Sequence, residues 1–142
     1  MLSTPKHGWS NITIGSWSDR CSYLDDVPFM LLDALQDALS GKTPIAIEFD
    51  AEGYGYTIVF SLGVIHIVTE TEDGYKLASE EIFCKELAKE LIADIRKDIN
   101  GWTTWQDFHE TTEEQQETRK QLLLKQCADI ERNLTSKGAE LR

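Results

Sequence analysis

The chain reads as a single α+β domain, residues 1–142, with an antiparallel sheet of four to five strands, helices packed on one face and a C-terminal helix. Three observations predict this. Apolar residues alternate at period two through the first half, and they recur at helical spacing through the second. The links between successive β segments are of hairpin length, which excludes parallel crossovers. With 142 residues and 41% hydrophobic content the chain can bury one substantial core and is short for two. The core is expected over about residues 9–108 and the C-terminal helix over about 111–134.

Ile12 and Ile14 alternate with Asn11 and Thr13, the pattern of a half-buried strand over 9–17, with Gly15 marking a bulge or a close backbone approach. Asp25 and Asp26 stand at the N-cap of a helix over 27–40. Pro28 lies in its first turn, Phe29, Leu31, Leu32, Leu35 and Leu39 form its apolar stripe, and Gly41 stops it. Three strands follow: Ile45, Ile47 and Phe49 on the first, Tyr54, Tyr56, Ile58 and Phe60 on the second, then the β-branched run 64–69. The Glu72-Asp73-Gly74 turn leads to a short edge strand at 75–77.

Ser79 caps a second helix, with Glu80 and Glu81 in its first turn and Phe83, Leu87, Leu91, Ile95 and Ile99 recurring every four residues. Its apolar face is most economically buried on the sheet, and Asn100-Gly101 ends it. Trp102, Trp105 and Phe108 form an aromatic linker, and Thr111 with Glu114 reads as a capping box opening the last helix. The first turns of that helix, 113–121, are polar and expected in solvent, and the tail 135–142 is expected to fray.

The charge is uneven. Residues 19–73 hold eleven acids against Arg20 and Lys42, nine of the chain's net charge of −11, whereas the segment from Gly74 onward carries fourteen acids against eleven bases. Such a field repels nucleic acid and anionic membranes and attracts a basic partner. No apolar run approaches the roughly 18 residues of a membrane span, and residues 1–10 lack the basic start and apolar stretch of a secretory signal, so a cytoplasmic location is expected. Cys21, Cys84 and Cys127 are far apart and without metal-ligand spacing, and read as reduced, buried thiols.

Glu48, Asp50 and Glu52 occupy alternate strand positions where carboxylates can share a hard cation. An amphipathic strand produces the same row without a metal, no Glu-x-Lys follows on the next strand, and an EF-hand fails at its twelfth position, Ser61, so no metal or cofactor is assigned. His7, in a loose N-terminal segment, His66, in a strand, and His109, in the linker, are scattered and read as structural. Gly53-Tyr54-Gly55 lies between strands and not at a strand-to-helix phosphate cradle. No catalytic residue is assigned. In the loop 17–26 aromatics interleave with acids, which resembles a protein-binding surface. The candidate partner-binding residues are Trp17, Asp19, Tyr23, Asp25 and Asp26 from that loop with the row Glu48, Asp50 and Glu52.

The runs Ile12-Thr13-Ile14-Gly15, Ser22-Tyr23-Leu24-Asp25-Asp26-Val27-Pro28, Phe49-Asp50-Ala51-Glu52-Gly53 and Glu90-Leu91-Ile92-Ala93-Asp94-Ile95-Arg96-Lys97-Asp98-Ile99 resemble the immunity proteins of bacterial polymorphic toxin and contact-dependent inhibition systems. The resemblance spans roughly 9–108 and carries over no functional positions. It implies a stoichiometric inhibitor that binds a cognate toxin domain, often a basic nuclease, and blocks its active site or substrate surface. Two other readings stand beside it. One is a phage- or mobile-element-encoded regulatory protein that mimics nucleic-acid charge. The other is a small hydrolase or ligand-binding protein with its pocket between the second helix and the sheet.

Overall fold

A computed structural model of the protein describes residues 1–106 and 111–137. Phe108, His109 and the end of the tail lie outside them. Among the described residues six strands form two antiparallel sheets. One is a hairpin of β1 (Trp9–Ile14) and β2 (Trp17–Ser22), and the other is a four-stranded meander of β3 (Ile45–Asp50), β4 (Gly55–Phe60), β5 (Ile65–Thr71) and β6 (Gly74–Glu80) in that order. The helices of the described residues are α1 (Val27–Leu39), α2 (Cys84–Lys97), α3 (Ile99–Thr103) and α4 (Glu113–Lys137).

The segment from Trp17 to Ser22, read from sequence as a loop, is a strand paired with β1, and the hairpin stands apart from the main sheet. Its two-residue turn requires Gly15, whose φ of +59 is the glycine-first geometry of tight hairpins. Gly15 is also a close approach, because a Cβ there would lie 2.1 Å from Glu80 Oε1. Period-two reading missed β2 because its core-facing positions are Trp17, Asp19 and Cys21, and only one of these is a β-branched or aromatic strand former.

In the meander the rows Ile45, Phe60, Ile65; Ile47, Ile58, Ile67; and Phe49, Tyr56, Thr69 share the inner face, and nearly all of these side chains are buried or half-buried. The hairpin crosses this face. Trp17 stands edge-on to Tyr56 at 5.2 Å between ring centroids, the Tyr56 hydroxyl donates to the Arg20 carbonyl at 2.8 Å, and Ser16 donates through N–H and Oγ to the Glu80 carboxylate at 2.9 and 2.8 Å. Helix α1 covers β3 and β4 beside it.

Helix α2 packs chiefly on α1, so its apolar stripe of Leu87, Leu91, Ile92 and Ile95 meets a second helix layer where the sheet was expected. The helix also starts later than its sequence signals. Ser79 and Glu80 belong to β6, Ser79 Oγ bonds His66 Nδ1 at 2.7 Å across the ladder, and Phe83 holds the N-cap position without a side-chain bond. Asn100 and Gly101 lie inside α3, where the Asp98 carboxylate accepts from the Gly101 N–H at 3.2 Å, and Trp102 is completely buried. The capping box of α4 lies one residue downstream of Thr111 and Glu114: the Gln115 N–H donates to Thr112 Oγ1 at 3.1 Å, and the Thr112 N–H donates to Gln115 Oε1 at 2.9 Å. Helix α4 rests on α1, α2 and α3 through Leu123, Cys127, Ile130 and Leu134.

The N-terminal residues are not loose. Met1 and Leu2 are buried, the Thr13 N–H donates to the Met1 carbonyl at 2.8 Å, and the Met1 ammonium pairs with Glu90 at 3.3 Å and Asp94 at 3.2 Å on α2.

Candidate functional site

The sequence-predicted residues fall into two groups that the structure separates. Trp17, Asp19, Tyr23, Asp25 and Asp26 lie on the hairpin and the approach to α1, and each is engaged within the chain. Trp17 packs on Tyr56. The Asp19 carboxylate accepts from the Tyr54 hydroxyl and, at 2.7 Å, from the Arg20 N–H. Tyr23 is pinned through its backbone, donating to the Gly8 carbonyl at 2.9 Å and accepting from Gln106 Nε2 at 2.8 Å. Asp25 Oδ2 accepts from the Asp50 N–H at 2.7 Å and the Asp25 carbonyl from Trp105 Nε1 at 2.8 Å. Asp26 occupies the N-cap position of α1 but makes no side-chain cap bond, since both its carboxylate oxygens accept from Arg119.

Burial holds the Asp25 carboxyl above its usual range. The hydrogen bond from the Asp50 backbone opposes that shift, and the nearby Asp50 carboxylate adds to it. Arg20 organises the same corner. Its Nε donates to the Ala51 carbonyl at 2.9 Å and its Nη2 to the Glu52 carbonyl at 3.0 Å, while the guanidinium lies 5.2 Å from the Trp9 ring centre and 5.1 Å from that of Tyr54. Sequence reading counted Arg20 only as an exception to the local charge. The structure makes it the clamp between the hairpin and the β3–β4 turn.

The second group faces the other way. Glu48 and Asp50 project from the outer face of the meander, which no helix or strand covers among the described residues. Glu52 does not continue their row, because it lies in the turn at φ +58 with its carbonyl on Arg20. The row is continued across the sheet instead. Register sets Asp50, Gly55, Glu70 and Tyr75 side by side, and next to them Glu48, Thr57, Val68 and Leu77. The β3–β4 and β5–β6 turns lie at the same end and add Glu52, Glu72 and Asp73. No Lys or Arg occupies an outward-facing strand position of this sheet. Tyr75 is 70% exposed and Leu77 80%. Glu70, Tyr75 and Leu77 were missed because only the strand register shows that they share a face with Glu48 and Asp50.

Where the hairpin leaves β5 and β6 uncovered, a cleft of about 430 Å³ is lined by inner-face residues that include Trp17, Asp19, Thr69, Thr71, Lys76 and Ala78. Among the described residues no three His, Cys, Asp or Glu side chains converge as a metal site, and no helix is long and apolar enough to cross a membrane. The thiols are shut in by burial, which pushes Cys21 up to about 12 and Cys84 and Cys127 each to about 11. Comparison of the chain with protein-family models, curated proteins and solved structures finds no match.

Proposed function

We propose that this protein is a non-catalytic acidic binding protein that neutralises a basic protein by occupying it, in the manner of the immunity proteins it resembles, with a toxin domain as the cognate partner. One observation carries the reading. Acids far apart in sequence, Glu48, Asp50, Glu70, Glu72 and Asp73, gather at one end of an uncovered sheet face that bears no Lys or Arg, around the exposed aromatic Tyr75. An aromatic anchor ringed by like charges is a surface suited to a partner of opposite sign, with the charges setting approach and the ring supplying contact area. Asp19, Asp25 and Asp26 are half-buried and engaged by other parts of the chain, so they add to the field more than to the contact.

The test is capture of the partner from the native host at low salt, followed by binding of the purified partner. Glu48→Lys with Glu70→Lys should slow association and flatten its salt dependence, whereas Glu113→Lys with Glu114→Lys on α4 should do little, because steering charges are screened over about 8–10 Å at physiological salt. An acidic partner, or association indifferent to ionic strength and to the Glu48 and Glu70 reversals, would overturn the reading.

A further inference from the structure

The outer edge of β6 is hydrogen-bonded to nothing among the described residues, because β6 closes the meander and pairs with β5 alone. The two most exposed large apolar side chains of the described residues, Leu77 and Tyr75, both stand on this strand. A lysine on an edge strand ordinarily guards against self-pairing, since aligned copies oppose like charges. Here the guard depends on register. We propose that two copies of the chain pair β6 with β6, antiparallel about a two-fold axis at Ala78, so that each four-stranded sheet continues into the other.

Residues equidistant from Ala78 face each other in that arrangement. Lys76 then lies opposite Glu80 of the second copy, twice by symmetry, and Leu77 lies opposite Ser79 with the two Leu77 side chains as diagonal neighbours on the outer face. Lys76 has no ion-pair partner among the described residues, and Glu80 is already aimed across the inner face by its bonds from Ser16. A two-fold at Lys76 itself would oppose the two ammonium groups. A two-fold at Leu77 would set Lys76 opposite Ala78 with no charge pair, so among these registers the one at Ala78 pairs opposite charges, twice. The pairing is independent of the basic-partner reading and responds to salt with the opposite sign. Each copy carries a net charge of −11, so added salt screens their repulsion and strengthens the dimer while it weakens attachment to a cation.

Sedimentation velocity on the full chain should show a monomer–dimer equilibrium that shifts toward dimer with concentration and with salt. Lys76→Glu, at an exposed position that keeps the fold, should weaken association about tenfold by replacing two attractive cross-strand pairs with repulsive ones. Mild oxidation should trap Ala78→Cys as a disulfide-linked dimer and leave Ala46→Cys on β3 monomeric, with the three native thiols buried in both. A chain that stays monomeric up to about 1 mM overturns the proposal. So does a dimer that neither Lys76→Glu weakens nor Ala78→Cys traps, which would place the contact on another surface. Monomers in which Leu77→Asp abolishes binding of the captured basic protein would assign the β6 edge to that partner's strand and overturn self-pairing.

Discussion

The guanidinium of Arg119 on α4 holds the carboxylate of Asp26 at the start of α1 with two parallel hydrogen bonds, 2.9 and 2.8 Å, across 93 residues of sequence. Its Nε and Nη2 also lie 3.3 and 3.2 Å from the Trp102 carbonyl, and its Cζ sits 5.0 Å from the Phe29 ring centre. One side chain therefore ties the first helix, the short third helix and the last. It also accounts for a polar residue in the expected solvent-facing turns of α4 being half-buried.

Replacing Arg119 should cost more than an ordinary surface change. Arg119→Ala is expected to lower stability by about 1–3 kcal/mol, and Arg119→Lys to recover only part of that, because an ammonium cannot make the forked pair. Urea melts would measure both. A lysine variant as stable as the parent would show that charge alone, and not the fork, matters.

On α2 the two sides of the helix should respond very differently. Leu91→Ala removes a fully buried side chain at the α1–α2 contact and should cost about 2–5 kcal/mol. Glu90, half exposed beside the Met1 ammonium, should cost no more than about 0.5 kcal/mol when changed to Ala. Asp94→Ala falls between them, since that carboxylate accepts from the buried Leu2 N–H at 2.9 Å as well as pairing with Met1. Equal effects for Leu91 and Glu90 in denaturant titration would mean that the stripe is not packed as described.

Asp25 gives a pH dependence of defined sign. The folded state holds the Asp25 proton more tightly than the unfolded chain, whose carboxyl titrates near its ordinary value of 3.8. Ionisation therefore costs stability: the cost is absent below that value and grows as pH rises through the raised one. Asp25→Asn keeps an oxygen for the Asp50 N–H and removes the charge. The variant should match or exceed the parent near neutrality and lose the fall in stability that the parent shows as pH rises above the ordinary carboxylate range. Parallel pH profiles of the two urea midpoints would refute it.

The alternation of Ile45, Ile47 and Phe49, and of Tyr56, Ile58 and Phe60, made β3 and β4 readable, because burial on one face imposes period two on a strand wherever it lies in the fold. The stripe of α1 was readable for the same reason at period 3.6. The sequence by itself thus determined an antiparallel α+β chain with its acids concentrated in one half. Only the tertiary structure decided which of those acids remain available. Asp26 is neutralised by a base 93 positions away, Asp25 and Asp19 accept from the Asp50 backbone amide and the Tyr54 hydroxyl, both distant in sequence, and Glu48 and Glu70 share a face only through strand register. Local pattern records what each segment buries, whereas pairing and charge compensation between segments depend on distances that exist only once the chain has folded.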